Sequence, residues 1–125
     1  MIWVAYVVLA GDLVRRQSEA AKRSGVSRSY YGAFNYARRW LEGRGTPIAA
    51  HRAHGQVWDS FMDADRATSN SRSNWQLIGE LGRELRTLRN KADYADVMPG
   101  LDVLAVESVA IALQIIALVD ELEIS

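Results

Sequence analysis

Arg89, Asn90, Asp93 and Tyr94 fall within six consecutive residues and have the side-chain types to meet an anion. On a helix, Arg89 and Asp93 stand at i, i+4, so the carboxylate can steady the guanidinium while it faces a phosphate or a carboxylate. The plainer reading of the same pair is a helix-surface ion pair contributing ~0.2–0.5 kcal/mol, with Tyr94 packed at a helix end. Arg83 and Arg86 precede Arg89 at intervals of three and extend a cationic stripe. Tyr30 and Tyr31 differ by about 100° around a helix, so they cannot face one neighbour. One is expected to fill the core, as Phe34 does, and the other to carry its hydroxyl to a polar partner near the helix of Arg89. Arg38, Arg39 and Arg44 fit either a positive strip or a solvated helix face. His51 and His54 lie three apart, a spacing that can present two ring nitrogens to one ion. Further ligands would have to come from Asp59 or Asp63, so no metal site is expected. Packing, capping or surface roles are the default for both His; in the fold either could approach the fourth helix and act as a displaced base, although nothing local in the sequence supports that.

These candidates sit in a chain of 125 residues with 15 basic and 15 acidic side chains, two His, two Pro and no Cys. The length suits one domain, residues 1–125, burying roughly two thirds of its unfolded surface. The lack of Cys excludes disulfides, thiol nucleophiles and Cys-based metal sites, and suits a reducing, cytoplasmic compartment. No Gly-rich phosphate loop stands between a strand and a helix, and no Ser–His–Asp arrangement is present. Balanced charge excludes a generally basic nucleic-acid binder, yet it hides an asymmetry. Residues 1–55 carry nine bases and three acids, and residues 56–125 carry six bases and twelve acids. Thirteen of the cations are Arg, the side chain suited to bidentate contacts with phosphate. The two halves can equally neutralise one another within a bundle.

Helical periodicity dominates, with no β-alternation and no internal repeat. The spacing predicts a first amphipathic helix over 3–22, punctuated by Ser24-Gly25. Arg15 and Arg16 follow its apolar start rather than precede it, unlike a secretory signal. Ser27 is the expected N-cap of a second helix, ended by Gly43, Gly45 and Pro47. A third helix is expected over 49–63, then a mobile loop over 64–74 with Ser73 or Asn74 as the next cap. The fourth helix, 75–95, places Leu77, Ile78, Leu81, Leu85, Leu88 and Ala92 inward. Met98-Pro99-Gly100 breaks the chain before a fifth helix over 101–123, which is apolar around nearly its whole circumference. Such a helix is central or pressed between two partners. In so small a domain, one face would meet the bundle and the other a second subunit. No tract is read as a membrane span. The expected fold is an all-α bundle.

Two segments carry a likeness to a known family. Ser27-Arg28-Ser29-Tyr30-Tyr31-Gly32-Ala33-Phe34, running on through Ala37-Arg38 and Leu41 to Gly45, resembles the SRxYYAAF…ARxLL…G signature of small prokaryotic HEPN-domain proteins. Leu88-Arg89-Asn90-Lys91-Ala92-Asp93-Tyr94 resembles their L-R-x-x-A-D-Y-D element. Between them, His54-Gly55-Gln56-Val57 with Phe61 is similar to an H-x-G-V…F stretch, shifted in register. The likeness covers about residues 3–122.

The resemblance implies a HEPN-like up-and-down bundle of four long helices plus one shorter helix, usually dimerised. It also implies metal-independent ribonuclease chemistry without a cofactor, in a toxin–antitoxin or defence setting, with a nucleotidyltransferase-type antitoxin as partner. In that family an Arg, a polar residue and then a His four to six residues after the Arg form the catalytic signature. Carried over, the signature falls on Arg89, Asn90 and Tyr94, with Tyr94 where a His is expected. A phenol, with its pKa near ~10, is a weaker proton-transfer group at neutral pH than imidazole. The expectation is therefore a protein that binds RNA or a nucleotide through Arg28, Tyr31, Arg86, Arg89 and Asp93, its nuclease motif incomplete. The alternative is an inactive helical module that dimerises or binds a partner such as a nucleotidyltransferase.

Overall fold

A computed structural model describes residues 2–63 and 69–124, which form a five-helix up-and-down bundle without a strand among the described residues. The helices are α1 (Ile2–Val14), α2 (Glu19–Gly43), α3 (Ala53–Met62), α4 (Ser69–Tyr94) and α5 (Leu101–Ile124), with one 3-10 turn at Ala50–Arg52. The long helix α2 touches each of the other four. Three helices are long and two short, where four long and one short were expected, because the first helix stops at Val14.

That early stop moves the first break. Ser18, in extended backbone, accepts a hydrogen bond from the Ala21 N–H at 3.0 Å, and Glu19 follows in the first turn. This is an N-cap with an acid at the positive end of the helix. Ser24-Gly25 does not break the chain and Ser27 does not cap; all three lie inside α2. Gly25 is there for its size. A Cβ on it would come within 2.5 Å of a Val14 methyl, and one on Gly32 within 2.8 Å of the Trp3 carbonyl. The two glycines, seven residues apart, let α1 lie antiparallel and close against α2.

The C-terminus of α2 follows the expected pattern. Gly45 at φ 90° takes the left-handed position after the helix. The Thr46 N–H reaches the Leu41 carbonyl and the Gly45 N–H the Glu42 carbonyl, each at 3.0 Å. This is the Schellman arrangement. In contrast, α4 begins at Ser69, so Ser73 and Asn74 lie within the helix and do not cap it. Of the loop expected over 64–74, residues 64–68 fall outside the described residues.

The core gathers Tyr30, Trp58, Phe61, Leu41, Ile78 and Leu85, all fully buried. Gly82 admits the Trp58 indole, which lies where a side chain on that residue would be. Arg23 closes the far end of α4: its Nη1 donates to the carbonyls of Ala92 at 3.0 Å and Ala95 at 2.6 Å. One cation on α2 thus satisfies carbonyls that the helix end leaves open.

On α5, Leu101, Ala105, Ala112, Ile115, Val119 and Leu122 form the buried stripe, and Ser108 among them satisfies its hydroxyl on the Ala105 carbonyl at 2.7 Å. Leu101–Leu122 also reaches the length and apolarity of a membrane-crossing helix, which corrects the expectation that no tract does. Its inner face is packed on α1, α2 and α4.

Candidate functional site

The site lies where α2, α3 and α4 meet. Tyr30 and Tyr31 divide as the sequence predicts, because successive residues of α2 face different neighbours. Tyr30 is fully buried, and the Tyr31 hydroxyl accepts a hydrogen bond from Arg89 Nη2 at 2.5 Å. Arg89 is fixed on three further sides. Its Nη1 donates to Asn90 Oδ1 at 2.7 Å, and its Nε stands 3.5 Å from Asp93 Oδ2. That is ion-pair distance without hydrogen-bond geometry, so the buried Nε has no hydrogen-bond acceptor. The guanidinium carbon lies 4.9 Å from the Tyr31 ring centre and 5.4 Å from that of Tyr30. A guanidinium held by its neighbours loses little freedom on meeting an anion.

The third helix brings an imidazole to the same junction. The His54 ring stacks on Phe34 with centres 4.2 Å apart and lies 6.0 Å from that of Tyr31. Its Nδ1 is 2.8 Å from the Tyr30 hydroxyl, which also accepts the Trp58 Nε1–H at 3.1 Å. Burial pushes the Tyr30 hydroxyl up to about 12, against the lowering effects of Trp58, Arg86 and Arg89. The phenol therefore keeps its proton at neutral pH. Trp58 is only a donor, so that proton is directed to His54 Nδ1, and the imidazole carries its own on Nε2. Burial, then Arg89, Arg86 and Arg38, hold the His54 pKa below its ordinary 6.5. The site thus joins this imidazole to Arg86 on the same pocket wall and to Arg89 across the Tyr31 ring.

Beside it opens a pocket of about 1110 Å³ between the 45–56 segment, the rest of α3 and α4, with His54 and Arg86 on its wall and the carboxylates of Asp59 and Asp63 also lining it. Gln56 holds the segment in place, accepting from the Ala49 N–H at 2.9 Å and donating to the Pro47 carbonyl at 2.8 Å. Of the three cations, Arg38 pairs with Glu42 and Arg89 with Asp93. Arg86 has no ion pair or hydrogen bond among the described residues, which leaves a partly exposed cation at the pocket wall.

The fold therefore brings Tyr31, Arg86, Arg89, Asn90 and Asp93 together. It leaves Arg28 exposed on α2, without a polar partner among the described residues. Tyr94 is 77% exposed and lines a shallow groove with Thr87, Asn90, Lys91 and Ala95, a groove that neither Tyr31 nor His54 lines. Tyr30, His54 and Trp58 join the site without having been singled out for it. The signal for His54 was its H-x-G-V context, and nothing local said which ring it would stack on. His51 lies on the pocket wall. Among the described residues, no group of three or more His, Asp or Glu side chains is arranged to hold a metal ion.

Fold and site together define a five-helix bundle with an arginine–tyrosine–histidine cluster at one helix junction. Compared with protein-family models, curated proteins and solved structures, the chain matches none.

Proposed function

We propose that the chain is a HEPN-like helical domain that binds RNA or a nucleotide by its phosphate at the Arg86–Arg89–His54 cluster. The observation that carries this reading is the geometry beside His54: Arg86 shares its pocket wall, and Arg89 is fixed by Tyr31, Asn90 and Asp93. Phosphate is the oxyanion that such a cluster suits, because planar guanidinium donors match its oxygens. The HEPN likeness of residues 27–45 and 88–94 adds the toxin–antitoxin or defence setting and a nucleotidyltransferase-type partner to the proposal.

The test is fluorescence anisotropy of a labelled single-stranded RNA over a salt series. Binding through phosphate predicts that log K falls with log salt by about 0.7 per neutralised phosphate. Arg86→Ala and Arg89→Ala should each weaken binding and flatten that slope. Undetectable binding, or affinity indifferent to salt, overturns the reading. The same RNA incubated in chelator reports on cleavage. Activity lost in His54→Ala as well as in Arg89→Ala would make His54, on α3, the proton-transfer group that Tyr94 does not replace.

A second reading, a partner-binding module, is favoured by one observation. Val103, Val106 and Leu113 stand exposed along α5.

A further inference from the structure

The face of α1 turned away from the bundle is apolar. Val7, Ala10 and Val14 are buried against neighbouring helices, and Ile2, Ala5, Val8 and Leu9 stand exposed on the opposite side. Ile2 and Val8 are each 63% exposed, and Leu9 is 40% exposed. Asp12 is the only charged side chain of the helix. At 13 residues, or ~20 Å, α1 is too short to cross a bilayer core of about 30 Å. It is long enough to lie along a bilayer surface.

Cations border this face. On α2, Gly25, Arg28, Gly32 and Arg39 recur at steps of three, four and seven, so they share one side of the helix. The two glycines mark that side as the one α1 covers. Arg28 and Arg39, both exposed, are therefore set alongside α1, ~16 Å apart along the axis. Arg39 also lies over the Trp3 ring, 5.9 Å from its centre. Arg15 and Arg16 are exposed just past the other end of α1. None of these four arginines has an ion pair among the described residues. The nearby acids Asp102, Glu19 and Glu42 are engaged by Lys22, Arg23 and Arg38.

Charge decides what this face meets. The outer face of α5 is also apolar, at Val103, Val106 and Leu113, but every charged residue of that helix is an acid: Asp102, Glu107, Asp120, Glu121 and Glu123. An anionic leaflet repels such a helix and attracts the arginine border of α1. RNA would engage the arginines and leave the aliphatic side chains in water. We propose that α1 lies flat on an anionic phospholipid surface. Ile2, Ala5, Val8 and Leu9 enter the boundary between headgroups and acyl chains, and Arg15, Arg16, Arg28 and Arg39 meet the lipid phosphates. This surface does not depend on the anion site among α2, α3 and α4.

Co-sedimentation of the full chain with vesicles tests the proposal. Phosphatidylcholine vesicles containing about a third phosphatidylglycerol should bind it at low salt, and pure phosphatidylcholine should bind it far less. Val8→Asp should weaken binding by roughly tenfold or more with unchanged helical circular dichroism. Ala5→Phe, which adds apolar surface at an exposed position, should tighten it. Arg28→Gln with Arg39→Gln should weaken it by about 25-fold, a difference that high salt erases. Leu113→Asp, on α5, should leave it unchanged. An environment-sensitive fluorophore on Val8→Cys, in a chain that has no other Cys, should shift to the blue with the mixed vesicles. Four outcomes overturn the proposal: no uptake by the mixed vesicles, uptake that Val8→Asp leaves intact, uptake lost in Leu113→Asp, or self-association through Val8 without lipid binding.

Discussion

At the junction of α2, α3 and α4, polar side chains are drawn in among aromatic rings; along the outer face of α5, apolar side chains stand in water. The two regions differ in what a single substitution should do. At the junction each group is held by several others, so a change propagates: Trp58 fills the space over Gly82 and donates to Tyr30, and Tyr30 in turn meets His54. On the outer stripe a side chain touches little within its own chain.

The sharpest way to break this contrast is Trp58→Ala beside Leu113→Ala. The first should cost ~3–5 kcal/mol in urea unfolding, from the cavity left in the core. The second should leave the stability of the monomer within about ±0.5 kcal/mol. Similar losses in a dilute sample would show that α5 is packed on both sides within one chain.

Arg23→Met is expected next, at ~1.5–3 kcal/mol, because the C-terminal carbonyls of α4 lose a charged donor. Amide exchange near residues 92–96 should quicken in this variant while α5 is unchanged. Gly32→Val should cost ~1–3 kcal/mol by overpacking against Trp3 and Val7. Gly11→Ala, where the added methyl meets open space, should instead stabilise α1 by ~0.5–1 kcal/mol.

Within the junction, the pH dependence of two groups runs in opposite directions. His54 has its folded pKa below the unfolded 6.5, so its stabilising contribution is complete above that value. As pH falls from 6.5 towards the folded pKa, the unfolded chain takes up the proton first and stability is lost. Tyr30 acts at the other extreme. Its folded pKa of about 12 exceeds the unfolded 10.0, so stability falls as pH rises between them. His54→Gln should flatten the acid limb of a melting-temperature profile and leave the alkaline limb in place. An acid limb unchanged in His54→Gln would assign it to other groups. The smallest effect is Asp93→Asn, ~0.2–0.5 kcal/mol of stability, since its pair with Arg89 spans one helical turn, lacks hydrogen-bond geometry and leaves the carboxylate partly exposed.

How far the site was legible follows from range. That Tyr30 and Tyr31 face different neighbours, and that Arg89 stands beside Asp93, could be read because a helix fixes which neighbouring residues share a face; which tyrosine meets Arg89 was left open. His54 could not be assigned, since its place depends on the 45–56 segment folding back between Phe34 and Arg86. Gly25 misled for a related reason. Locally it reads as a break, and only the approach of α1 shows that a side chain there would collide with Val14. Ser18 and Glu19 carried a usable cap signal that the continuous apolar pattern of the first helix obscured.

By itself, the sequence determined an all-α chain, the breaks at Gly45 and at Met98-Pro99-Gly100, and the doubly apolar character of the last helix. Each depends on contacts within a few residues or on a period that a single helix expresses. Only the tertiary structure decided which face of α5 is covered, that Arg23 closes α4, and that an imidazole from α3 shares a pocket wall with Arg86 of α4. Those outcomes rest on contacts between residues tens of positions apart, where packing and burial override local preference.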